Sequence, residues 1–67
     1  MAILKVIEVL GSSDKSWEDA TQQIINGAAK TVKNIRSVYI KDMSTKVENN
    51  QIVEYRVVGK VSFEVVH

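Results

Sequence analysis

Sixty-seven residues without a cysteine make one domain and exclude both a disulfide scaffold and a thiolate metal centre. The hydrophobic share is 45% and the charged share 25%, a folded rather than a disordered composition. A net charge of +1 supplies no basic field for nucleic acid, and no apolar run approaches the roughly 20 residues of a membrane helix. The opening "MAILKVIEVL" lacks the basic leader and small-residue cleavage site of a signal peptide, so a cytoplasmic location is the default expectation. A chain this short buries only about 60% of the surface its unfolded form exposes. Its core is marginal alone and calls for a staple, a metal or partner subunits.

The first element is a strand over Ala2–Leu10, rich in β-branched residues and closed by the turn chemistry of Gly11-Ser12-Ser13-Asp14. Lys5 and Glu8 fall on opposite faces of it, so neither face is purely polar. A helix follows from about Trp17 to Asn34. Ser16 with Asp19 resembles a capping box, Glu18 and Asp19 suit the first turn, and Lys30 and Lys33 the last two. Trp17, Ala20, Ile24, Ala28, Val32 and Ile35 form one apolar stripe, widened by Ile25 and Ala29. Gly27 in the helix interior costs roughly 1 kcal/mol relative to alanine, which points to close approach of another backbone.

Two long strands come next, over Arg36–Glu48 and Gln51–Val66, joined at "ENNQ", where Asn-Asn tolerates the positive φ of a tight hairpin. On the last strand Val53, Tyr55, Val57, Gly59, Val61, Phe63 and Val65 share a face, while Glu54, Arg56, Lys60, Ser62 and Glu64 lie on the other. The direction of each element, with the third strand placed between the other two, gives an α+β fold: a βαββ unit whose three-stranded antiparallel sheet, in the order one, three, two, wraps one helix with a right-handed crossover. The helix-free face keeps Leu4, Val6, Ile52, Val58 and Val66 and is a candidate subunit interface.

The words "KVIEVLGSS", "SWEDATQQIINGAAKTVKNI" and "VEYRVVGKVSFEV", in this order and spacing, resemble the dodecin family: small βαββ proteins that assemble as hollow dodecamers. Over residues 1–67 the resemblance implies a single dodecin-like domain, self-association as a homododecamer and no membrane or nucleic-acid partner. Many dodecins sandwich flavins with a tryptophan just after the helix and bond them with a glutamine in the last strand. By this resemblance those positions fall on Ser37 and Arg56. Serine has no π face and arginine offers donors only, so binding of FMN or riboflavin is expected to be weak or absent.

The pattern looks closer to a family branch that lacks the tryptophan and is associated with calcium. By the same resemblance Asp42 is the candidate ligand for calcium or magnesium. Six to eight oxygens surround calcium, so symmetry mates or waters would have to supply the rest. Tyr39 shares strand parity with Ser37 and is the candidate replacement wall, completing a ligand site of Ser37, Tyr39 and Arg56. Trp17 reads instead as core or interface, and Arg36 and Arg56 as ion-pair partners. His67 is the single histidine and reads as a frayed end residue. No Ser/His/Asp or Cys/His set can be built around it, and no phosphate loop or EF-hand is present, so no enzyme is expected. The function expected is sequestration or storage of a small ligand or ion. The alternative is a purely structural or protein-binding oligomer with no cofactor.

Overall fold

The computed structural model describes residues 3–65; Ala2 and Val66, expected at strand ends, and His67 lie outside them. Four elements follow in order: β1 (Ile3–Ser13), α1 (Trp17–Ala28), β2 (Ile35–Glu48) and β3 (Gln51–Val65). The sheet is antiparallel in the order β1-β3-β2, the order expected with the third strand placed between the other two. Asn49 and Asn50 adopt φ of 52° and 63°, the left-handed pair that a two-residue hairpin turn demands.

Alternation along β3 decides which face meets the helix. Val57 and Val61 are buried and, with Ala20, Ile24 and Ala28 of α1, form the core. Val9, Trp17, Val32, Ile35 and Val38 pack around it, so the expected apolar stripe is the packed one. The helix sits close because glycines lie beneath it. A Cβ on Gly11 would come within 2.8 Å of the Ala20 carbonyl oxygen, and one on Gly59 within 3.3 Å of Ile24 Cδ1.

At its N-terminus, α1 begins as expected. The Ser16 hydroxyl accepts the Asp19 N–H at 2.9 Å, satisfying one orphan donor of the first turn. Ser13 extends the cap: its buried hydroxyl donates to Asp19 Oδ2 at 2.6 Å and accepts the Lys15 N–H at 2.9 Å. Trp17 docks on Tyr55 edge-on, centroids 5.0 Å apart at 74°. Its Nε1–H donates to the Ser44 carbonyl at 3.1 Å, which ties the helix start to the hairpin.

Three expectations are corrected. The helix ends at Ala28, not Asn34. Lys30 and Thr31 donate to the carbonyls of Gly27 and Ala28, a tightening i→i+3 pattern. Asn34, at φ 62°, then reverses the chain, and its carbonyl accepts the Glu64 N–H at 3.0 Å. Val32 and Ile35 still reach the core from this turn, which is why the periodicity ran on. Lys30 and Lys33 therefore lie beyond the helix. Next, β1 does not stop at Leu10: Gly11, Ser12 and Ser13 pair with Val57, Arg56 and Tyr55, because Gly11 is a strand residue that makes room for Ile24 rather than a turn. Finally, among the described residues outside the helix's own backbone, nothing lies within 4 Å of where a Cβ on Gly27 would stand.

Candidate functional site

Residues of the helix-free face are identified by register. On β2, Ser37 pairs with Ser62, Tyr39 with Lys60 and Asp42 with Val58, and Arg56 of β3 pairs with Ser44. All four candidate residues therefore lie on one face, opposite the helix. Simple alternation would put Asp42 on the other side from Tyr39. The register shift between Ile40 and Asp42 inserts Lys41 as an extra residue and turns Asp42 round, as a β-bulge does. A second shift between Ile35 and Ser37 does the same where the chain enters the strand. Neither bulge has a signature in the sequence.

One chain does not gather the four into a pocket. Ser62 and Arg56 mark the rows of Ser37 and Arg56, and six residues of strand span about 20 Å. Asp42 and Arg56 lie in adjacent rows, about 7 Å apart along the strand. The residues form a strip, with Tyr39 standing 67% exposed between its ends.

Ion pairs set the electrostatics of this face. Arg36 donates from Nε and Nη2 to Glu64 Oε2 at 3.1 and 2.8 Å. Lys41, the bulged residue, reaches across β3 to both oxygens of Glu8 at 3.2 and 3.3 Å. Arg56 Nε donates to Glu54 Oε1 at 2.9 Å. That hydrogen bond holds the Glu54 carboxyl below its usual value, against the opposing effect of burial, with the Arg56 and Lys46 charges adding to it. Arg36 and Arg56 thus take the ion-pair role expected of them.

Neither a flavin nor a divalent ion finds a finished site among the described residues of a single chain. Ser37 offers no ring, and its hydroxyl lies 2.5 Å from that of Ser62, a partner that no pattern within one strand reveals. For a divalent ion, Asp42 is one exposed carboxylate. Among the described residues no group of three or more His, Asp or Glu side chains is placed to hold a metal. A calcium shell of six to eight oxygens would need donors from further chains. Trp17 lies across the sheet, locked on Tyr55, and takes no part in the strip.

Comparison with known proteins gives one consistent result. The family model for dodecin matches residues 3–66. The calcium dodecin of Mycobacterium tuberculosis is 31% identical over 64 residues, which cover 96% of this chain and 90% of that protein. Its crystal structure, described as a calcium-chelating antigen with a novel calcium-binding site, superposes with a TM-score of 0.82 at 30% identity over 96% of this chain and 91% of that one. A variant of the Thermus thermophilus dodecin superposes at 0.93 with 25% identity, each chain covered in full. Dodecin from Streptomyces davaonensis shares the fold at 0.93 and 23% identity, over 98% of this chain and 97% of that one.

Proposed function

The chain belongs to the dodecin family, and from that premise we propose that it is a self-assembling binding protein, most simply a homododecamer, that sequesters a small ligand or ion at contacts between subunits. The observation that carries this reading is the strip on the helix-free face. Ser37, Tyr39, Asp42 and Arg56 share one surface yet stand too far apart to serve one ligand within a chain. Assembly supplies what the fold lacks: a second copy of the strip, and cover for the exposed Leu4, Val6 and Leu10 beside it.

The kinship with a calcium dodecin favours a divalent cation, with Asp42 as this chain's ligand and calcium preferred to magnesium. Ser37 argues against a stacked flavin, so FMN and riboflavin bind weakly or not at all. Tyr39 and Arg56 would line the site, Arg56 keeping Glu54 as its partner. The role is binding and storage rather than catalysis, in the cytoplasm, as one dodecin-like domain.

Light scattering after size exclusion tests the assembly: twelve chains of 7.5 kDa give about 90 kDa. A monodisperse monomer at micromolar concentration would end the proposal. Calorimetry with calcium, repeated on Asp42→Asn, tests the ion. Binding that survives the substitution unchanged would remove Asp42 from the site. Stoichiometric quenching of flavin fluorescence would show the reading of Ser37 to be wrong. Silence towards both ions and flavin would leave the structural oligomer as the better account.

A further inference from the structure

Register gathers a second, smaller group of residues on the helix-free face. Ser62 pairs with Val6 on one side and Ser37 on the other, and Lys60 with Glu8 and Tyr39. Directly opposed side chains stand about 5 Å apart, and successive rows on one face about 7 Å. Ser37, Ser62, Tyr39 and Lys60 therefore form a compact patch within one chain, unlike the strip that reaches to Arg56.

Lys60 is the unexplained residue. It is half-buried and stands opposite Glu8, the cross-strand carboxylate that would ordinarily pair with it. Both Glu8 oxygens are instead held by Lys41, which reaches over from the bulge on β2 at 3.2 and 3.3 Å. Glu64, in the row beyond Ser62, is held by Arg36, and Glu54 by Arg56. Among the described residues Lys60 enters no ion pair. Asp42, in the next row towards the hairpin, enters none either, and it lies on the side of Lys60 away from the serines.

The hydroxyls beside Lys60 keep a donor in reserve. Ser37 Oγ and Ser62 Oγ lie 2.5 Å apart, and either can donate. Two hydroxyls carry two protons, and the bond between them uses one. For the other, the Ser37 carbonyl stands 3.5 Å from Ser62 Oγ, beyond the range of a good O–H···O bond. Tyr39, 67% exposed, adds a phenolic O–H across from Lys60. An ammonium with neutral O–H donors around it, its own carboxylate engaged elsewhere, suits an anion with several acceptor oxygens.

We infer that Lys60, the Ser37–Ser62 hydroxyl pair and Tyr39 bind a small oxyanion, a phosphate or carboxylate group, at a place separate from Asp42. The site rests on the reading of this face as the ligand-bearing one, and the outcomes below separate the two. Calorimetry on the full chain, in chloride-free buffer, uses inorganic phosphate and acetate as probes, with the rise in melting temperature as a second readout. Tighter binding of phosphate assigns the site to phosphoryl groups, and tighter binding of acetate to carboxylates. Either result supports the oxyanion, whereas chloride displacing both at equal concentration would overturn it. Lys60→Met should weaken binding about tenfold, the worth of one charge-assisted hydrogen bond. Ser62→Ala should weaken it less, and both variants should keep the wild-type dichroism and mass. Lys46→Met removes the same charge near the hairpin and should leave binding unchanged; an equal loss there would show diffuse attraction and no site. Asp42→Asn should abolish calcium uptake without weakening that of phosphate, and loss of both would refute two separate places. A wild-type oligomer that binds neither probe at millimolar concentration would overturn the oxyanion site alone. A monomer that binds phosphate through Lys60 would overturn the assembly and leave the site standing.

Discussion

Alternate residues of β3 belong to two different structures. Facing the helix, Val57, Gly59 and Val61 are buried and fitted to Ile24 and Val38 with no space to spare. Facing away, Arg56, Lys60, Ser62 and Glu64 are half-buried and join or flank exposed ion pairs, with Leu4, Val6, Leu10 and Ile52 exposed around them. One face is completed by the chain itself through van der Waals fit. The other leaves charge, hydroxyl and apolar surface exposed, the surface that the proposed assembly would cover. The lesson is that the fold and the proposed assembly use opposite sides of the same strand, so substitutions on each side should fail in different ways.

The largest effect is expected on the inner face. Ile24→Ala removes the side chain that lies over both Gly11 and Gly59, and emptying such a site costs about 2–5 kcal/mol. In a chain of this size that should move a urea midpoint by a large fraction of its value. Because assembly is linked to stability, the titration is made at fixed chain concentration. Gly11→Ala comes next: its methyl would stand 2.8 Å from the Ala20 carbonyl oxygen, and overpacking against backbone costs about 1–3 kcal/mol. If Gly11→Ala were neutral, the tight seating of the helix would be refuted.

Ser16→Ala removes the N-cap acceptor for Asp19 N–H and should cost about 1 kcal/mol, read as a lower melting temperature with the assembled mass unchanged. On the outer face, Arg36→Ala breaks an exposed pair with Glu64, and such pairs contribute only about 0–1 kcal/mol to stability. An effect as large as that of Gly11→Ala would mean that this pair is closed off from water in the assembly, and would sharpen the placement of the interface.

The smallest expected effect concerns Glu54. Its carboxyl is held below the ordinary 4.5 by the Arg56 hydrogen bond. The folded value is therefore the lower one, so the contribution is present at neutral pH and fades as pH falls below the ordinary value and through the folded one. Glu54→Gln should flatten that part of the acid limb, measured by urea titration at several pH values. An unchanged acid limb would show that the pair contributes nothing.

Much of this protein was determined by its sequence. Strict alternation in β3, the Ser16 cap, the apolar stripe of α1 and the Asn49-Asn50 turn are local patterns, each set by a period or a backbone preference, and together they fix the strand order. The family was legible for the same reason, since its words lie in those elements. What only the tertiary structure decided depends on contacts between distant segments. The glycine at Gly11 is a turn residue by local chemistry but a strand residue once Ile24 must pass over it. The helix stops at Ala28 although apolar spacing continues, because Asn34 turns the chain into a bond with Glu64. Most of all, Asp42 joins Ser37 and Tyr39 on one face only because a bulge at Lys41 resets the alternation. A bulge is a property of two strands fitted together, and no single strand's sequence can record it.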